Sequence, residues 1–244
     1  MKPYKLAIFD LDGTLYRGEE PIPYAVDAVN SMRNRGLQVA YLTNNSSQTK
    51  EFYVQKLRHM GFVVDPQEVY SSGIGATLHL QQVNKCSVFI VGMPGLIATF
   101  EEAGFSVVNR THDGHARPEG TQSQAVVAGL CQEFTYELMA GAMAQIVAGA
   151  ELVATNTDAT FPLEGGRFVP GAGSIVAAIQ TCSGAKPFVV GKPNRFLIDS
   201  IREDFHVDPT ETLVVGDRLD TDIQAGKNGG CDTFLVLTGV ERCD

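Results

Sequence analysis

Short apolar runs alternate along this chain with stretches whose apolar positions recur at helical spacing. Leu6-Ala-Ile-Phe9 is a continuous apolar run, the pattern of a strand buried on both faces, and it stops at Asp10. From Pro23 to Arg35, Val26, Val29 and Met32 recur as on one helix face, and Gly36 follows as a C-cap. Gln38 to Thr43 (QVAYLT) then reads as the next strand, which completes a βαβ unit. A second helix carrying Phe52, Leu57 and Met60 ends at Gly61, and a short strand around Val69 and Tyr70 ends at Ser71 and Ser72.

The alternation continues from about His79: Ser87–Val91, a helix near Leu96 to Ala103, Ala125–Val127, a helix from Tyr136 to Ala148, and Leu152–Ala154. This predicts a second α/β unit. Thr155 to Gly173 reads as a Gly/Pro-rich loop and leads into a helix through Ile179; strands resume at Phe188–Val190, Leu213–Val215 and Phe234–Leu237. The fold class is α/β with a mostly parallel sheet. Gly73-Ile-Gly75 and Gly171-Ala-Gly173 lack the third glycine and the acidic residue of a dinucleotide fingerprint and read as a turn and a hinge. Neither a P-loop nor a G-x-S-x-G elbow is present.

Composition narrows the partners. The chain has 244 residues, 44% apolar and 19% charged, as in an ordinary globular protein of one or two domains. A formal charge of −9 without a Lys/Arg cluster argues against nucleic acid and against a basic membrane face. If the substrate is itself an anion, a local cation or a bound metal must offset the repulsion. The five cysteines, Cys86, Cys131, Cys182, Cys231 and Cys243, are widely spaced with no C-x-x-C, which speaks against a disulfide frame or a zinc site. No signal-peptide pattern and no apolar stretch of membrane-spanning length is visible, so a cytoplasmic location is expected.

In an open parallel sheet, ligands bind beyond the carboxyl ends of the strands. Four expected strand ends here carry Asp10/Asp12, Thr43/Asn44, Lys192 and Asp217. A phosphoryl group needs an in-line nucleophile, donors for its oxygens, a cation against developing charge, and usually Mg²⁺ held by carboxylates. Asp10 and Asp12 stand two apart in D-L-D-G-T, so both can point into one crevice while Gly13 turns the chain away. Asp217 in G-D-R-L-D-T-D-I, with Asp220 and Asp222, offers the hard oxygens Mg²⁺ prefers. Each motif has a plainer reading: a turn at Asp12, a helix start at Asp217, a solvated surface Lys192, and a capping turn at Thr43-Asn44-Asn45-Ser46.

Taken jointly, these four segments resemble the haloacid dehalogenase-like phosphatases, whose fingerprint runs D-x-D-G-T, then S/T, then K, then G-D-x-x-x-x-D. The strings LTNNS, GKP and GDRLDTDI, with ATNTD and PGAGSI in the middle segment, are similar to the subgroup with a C2-type cap, NagD-like and p-nitrophenylphosphatase-like proteins. The resemblance implies a Rossmann-like core of residues 1–79 and 184–244 and an inserted smaller α/β cap of residues 80–183. It implies that Asp10 is the nucleophile, that Asp12 protonates the leaving oxygen and then activates water, and that Lys192 neutralises charge. Thr43, Asn44, Asn45 and Lys192 would hold the phosphoryl group. Mg²⁺ would be held by Asp10, the Asp12 carbonyl and Asp217, with Asp222 at longer range. The cap loop residues Asn156, Asp158 and Phe161 would contact substrate, or else serve turn chemistry.

The implied substrate is a small phosphorylated metabolite, a sugar or acid-sugar phosphate or a nucleoside monophosphate. A homodimer through the cap stays open. Alternatives on the same fold are a dehalogenase, which has no use for Asp12 as an acid or for a metal, and a phosphomutase. A non-catalytic phosphate-binding regulatory protein is the alternative of another class. The chain departs from the subgroup at Cys131, in A-G-L-C-Q where an Asp is usual, and it ends at GVERCD, earlier than expected. His112 and His115, in a His-x-x-His spacing, lack an apolar helix frame and a third ligand and read as a solvated loop.

Overall fold

The computed structural model describes residues 4–163 and 167–240, which leaves Cys243, the C-terminal stop and the centre of the Thr155–Gly173 segment outside the described residues. The chain divides into two compact units, the first of Met1–Thr43, Lys50–Tyr70 and Lys192–Asp244, the second of Asn44–Thr49 and Ser71–Gly191.

The first unit opens with β1 (Leu6–Asp10), a small hairpin of β2 (Tyr16–Arg17) and β3 (Glu20–Pro21), α1 (Ala25–Asn34), β4 (Gln38–Thr43), α2 (Lys50–His59) and β5 (Val69–Ser71). The second unit carries α3 (Ser72–Gln82), β6 (Ser87–Val91), α4 (Pro94–Glu102), β7 (Ser106–Val107), β8 (Ala125–Ala128), α5 (Tyr136–Val147), β9 (Glu151–Ala154), β10 (Thr160–Leu163), β11 (Arg167–Pro170), α6 (Ala172–Ser183) and β12 (Phe188–Val189). The chain then returns to the first unit with α7 (Phe196–Phe205), β13 (Thr212–Gly216), α8 (Gln224–Asn228) and β14 (Asp232–Leu235).

In the first unit five strands lie in the order β14-β13-β1-β4-β5. β1 is central and pairs in parallel with both β13 and β4. Strand alternation explains why its apolar run has no polar position. Ala7 and Phe9 pack with Val29, Val54 and Leu57 of α1 and α2 on one face, and Leu6 and Ile8 pack with Leu197, Ile198 and Ile201 of α7 on the other. The chain steps from β1 outward through β4 to β5, and later fills the other side with β13 and β14, so the strand order reverses beside β1. At such a switch point the connections diverge and leave a crevice at the carboxyl ends.

The second unit is a five-stranded sheet of order β12-β9-β8-β6-β7, with every pair parallel. Phe89, Val91, Val126, Ala128, Leu152 and Ala154 pack there against Leu138, Ala142, Ile175 and Ile179 of α5 and α6. Cys131 is buried in the same cluster, and burial pushes its thiol up to about 11, so it behaves as a small apolar residue. The four cysteines among the described residues are free thiols.

Three expectations change. Gly73-Ile-Gly75 is not a turn but the first turn of α3, capped where the Ile74 N–H donates to Ser71 Oγ at 3.3 Å; two poor helix formers hid it. The strand at Phe188–Val189 belongs to the second sheet, where β12 pairs with β9, and the compact unit that holds it runs to Gly191. The Thr155–Gly173 segment is not wholly loop, since β10 and β11 form an antiparallel hairpin within it, and Gly171 caps the start of α6. Among the described residues no helix is long and apolar enough to cross a membrane.

Candidate active site

Parallel pairing brings the ends of β1, β4 and β13 level: Asp10 lies opposite Leu42, one residue before Thr43, and Phe9 lies opposite Val215, two before Asp217. Lys192 joins them from the chain that enters the unit after Gly191. Its Nζ donates to Asp10 Oδ1 at 2.5 Å and meets Asp222 Oδ1 at 2.7 Å, and the Leu42 carbonyl lies 3.5 Å away. Lys192 is 3% exposed, so this is no surface lysine. Burial disfavours its charge, but Asp10 and Asp222 outweigh that and hold the ammonium above its ordinary value.

Carboxylate oxygens of Asp10, Asp217 and Asp222 all lie within 4.8 Å of one another. Burial raises the Asp10 carboxyl well above the ordinary aspartate value and repulsion from Asp222 adds to it, while Lys192 pulls the other way. Asp217 is raised for the same first reason, although the Val240 N–H donates to its Oδ2 at 2.7 Å. Three carboxylates against one ammonium leave the cluster short of positive charge, and Asp217 Oδ1 is buried without a hydrogen-bond partner among the described residues. This donor set of hard oxygens fits a divalent cation of the Mg²⁺ type.

Local chain geometry keeps these groups close. Gly13 turns the chain at φ +86°, and a Cβ there would stand 2.6 Å from Asp217 Oδ2. Leu219–Ile223 forms one π turn, in which the Asp222 and Ile223 N–H groups both donate to the Arg218 carbonyl at 3.1 Å. The Arg218 N–H donates back to Asp222 Oδ2 at 3.1 Å. Asp220 points away and pairs with the Arg218 guanidinium at 2.8 Å, which removes it from the metal-ligand candidates.

Asp12 reaches solvent on one side, yet enough protein surrounds it that loss of water raises its carboxyl, opposed by Lys56 and by the Tyr16 hydroxyl. Sequence reasoning missed both neighbours. Tyr16 sits in β2 and Lys56 on α2, and neither belongs to a motif. Nor could side-chain patterns announce the backbone donor of Val240.

Thr43 is 3% exposed and ends β4. The neighbouring Asn44 and Asn45 belong to the second unit. The Asn44 side chain donates to Asp158 Oδ2 at 3.1 Å, and the Asn44 backbone carbonyl accepts from Ser72 Oγ at 2.5 Å and Asn156 Nδ2 at 2.7 Å. Asn45 Oδ1 accepts from the Ser47 N–H at 2.9 Å, and Asn156 Oδ1 from the Asp158 N–H at 3.0 Å, which are Asx turns. Asn45, Asn156 and Asp158 therefore do turn and tethering work inside that unit. Phe161 lies in β10, partly buried. His115 Nδ1 pairs with Glu133 at 2.7 Å in a half-exposed loop, and no histidine enters a metal-type cluster among the described residues.

A family model described as "Haloacid dehalogenase-like hydrolase" matches residues 7–106, and an HAD-hydrolase-like model matches 189–244. A glycerol-3-phosphate phosphatase of Gallus gallus is 36% identical over 97% of this chain and 80% of its own length. The 5'-nucleotidase YutF of Bacillus subtilis is 34% identical (99% and 90%), and an acid sugar phosphatase of Staphylococcus aureus is 36% identical (100% and 90%). The p-nitrophenyl phosphatase structure from Archaeoglobus fulgidus superposes with a TM-score of 0.89 at 30% identity, covering 98% of this chain and 88% of that one. NagD from E. coli K-12 gives a TM-score of 0.85 at 30% identity, covering 98% and 89%.

Proposed function

Since the chain belongs to the haloacid dehalogenase-like hydrolases, as a phosphatase of their NagD-like group, we propose that it hydrolyses small phosphomonoesters through a phosphoaspartate formed on Asp10. The observation that carries this reading is the buried Lys192 ammonium, shared between Asp10 and Asp222 beside an Asp217 oxygen that lacks a partner among the described residues.

Asp10 attacks phosphorus as the bond to the leaving oxygen breaks, and Asp12 gives that oxygen its proton. The Asp12 carboxylate then takes a proton from water, whose oxygen attacks phosphorus; the bond to Asp10 breaks, phosphate departs, and both carboxyl groups are restored. Lys192 favours the ionised form of Asp10 against burial and offsets charge on the phosphoryl oxygens, while the buried Thr43 hydroxyl and the Asn44 region supply donors. Mg²⁺ held by Asp10, Asp217, Asp222 and the Asp12 carbonyl would supply the positive charge that the three carboxylates require and that an incoming phosphate dianion requires again.

The relatives at similar identity act, by their names, on a glycerol phosphate, on a nucleotide and on acid sugar phosphates. That spread supports a small phosphorylated metabolite. Asn156, Asp158 and Phe161 are the further substrate contacts we propose, with Asn45 beside Thr43 and Asn44 at the phosphoryl group.

Turnover of p-nitrophenyl phosphate with Mg²⁺, followed by acid quench and mass measurement, tests the mechanism. Asp10→Asn and Asp217→Ala are each expected to abolish turnover, and only proteins retaining Asp10 to gain the mass of a phosphoryl group. Activity surviving both changes would overturn the proposal. Sedimentation of the purified protein decides between monomer and the homodimer considered above.

A further inference from the structure

Two side chains outside every motif crowd the carboxylate of Asp12. Tyr16 is 1% exposed, and a phenol so deeply buried needs a hydrogen-bond partner. Its hydroxyl donates to Asp12 Oδ2 across 3.4 Å, a long contact but the one hydrogen bond of that hydroxyl among the described residues. On the ring face, Lys56 Nζ lies 4.4 Å from the centroid and is held there by Glu19 Oε1 at 3.0 Å. A cation over a phenol ring draws electron density from it and makes its hydroxyl a better donor. The order is Glu19, Lys56, Tyr16, Asp12, with Glu19 in the β2–β3 turn and Lys56 on α2.

We propose that Tyr16, backed by Lys56, is a positioning residue for Asp12: its hydroxyl fixes Oδ2, so that Oδ1 is the oxygen that hands a proton to the leaving group. The inference rests on the reading of Asp12 as the acid. Packing alone would explain a buried aromatic ring at residue 16, but would make its hydroxyl dispensable. The carboxylate beside that hydroxyl, and the ammonium placed over the ring rather than in water, are what packing does not account for.

The consequence depends on the leaving group. A p-nitrophenolate departs with little help, whereas an alkoxide needs its proton as the bond breaks, so a misdirected Asp12 harms alkyl phosphates most. The measurement is kcat/KM, which reports phosphoryl transfer to Asp10, for p-nitrophenyl phosphate, phenyl phosphate and glycerol phosphate. The proteins are the unaltered enzyme, Tyr16→Phe, Lys56→Met and Asp12→Asn, all with Mg²⁺. Tyr16→Phe is expected to lose about tenfold on glycerol phosphate and under about threefold on p-nitrophenyl phosphate, with Lys56→Met moving the same way by less. An equal loss on all three substrates, or no loss, overturns the proposal. Should Tyr16→Phe fail to fold, Lys56→Met decides in the same terms. Asp12→Asn separates the two readings: a loss independent of the leaving group in that variant sinks the acid role itself, whereas a graded loss there with an ungraded one in Tyr16→Phe and Lys56→Met sinks only the positioning.

Discussion

Lys192 Nζ and Asp222 Oδ1 meet at 2.7 Å with side chains 3% and 2% exposed, so Asp222 is a direct partner of the buried ammonium. The resemblance also implies a metal contact for Asp222 at longer range, as proposed above. The pair orders the site from beneath, because the same ammonium also holds Asp10.

Removing one partner leaves buried charge uncompensated. Lys192→Met is expected to abolish activity and to destabilise the fold by about 3–5 kcal/mol, read as a fall in denaturation midpoint. Lys192→Met combined with Asp222→Asn is expected to recover part of that loss. A double variant no more stable than the single one would show that the pair does not act as a unit.

Gly216 stands where a Cβ would lie 2.2 Å from Asp222 Cβ. Gly216→Ala is expected to destabilise by about 1–3 kcal/mol through overpacking and to weaken Mg²⁺ dependence by moving Asp222. A variant that melts with the parent and keeps its metal response would contradict this.

Burial places the Asp10, Asp12 and Asp217 carboxyls above their unfolded values. A carboxyl raised in the folded state contributes stability that is fully present below its unfolded value, about 4, and is lost as pH rises through the folded value. In chelator, Asp217→Asn is therefore expected to gain on the unaltered protein as pH rises from about 4 toward neutrality. Carboxyls shifted the other way, Asp113, Glu151 and Asp220, are common to both proteins and cancel in the difference. A difference in melting temperature that stays flat with pH would refute the assignment.

A cation bound only by the folded protein stabilises it by mass action, about 2.7 kcal/mol at a hundredfold excess over Kd. Mg²⁺ is expected to raise the melting temperature of the unaltered protein, and to do so far less in Asp217→Asn, which loses a ligand charge at the oxygen that lacks a partner. An equal rise in both proteins would place the cation elsewhere.

By itself the sequence determined the elements whose burial is written in local periodicity. Gln38–Thr43 and Ser87–Val91 form strands with the bounds read from the sequence, because the interior of a strand buried on both faces shows as a short apolar run. It also brought forward residues that lie together in the fold: Asp10, the last residue of such a strand, is close to Lys192, Asp217 and Asp222, which follow later strands. Only tertiary structure decided that the two-residue β12 joins the second sheet, that glycine-rich residues 72–75 wind into α3, and that Tyr16 and Lys56 sit beside Asp12. The partner of a short strand and the neighbour of a side chain 40 positions away depend on how helices pack on a sheet, and no local pattern records that.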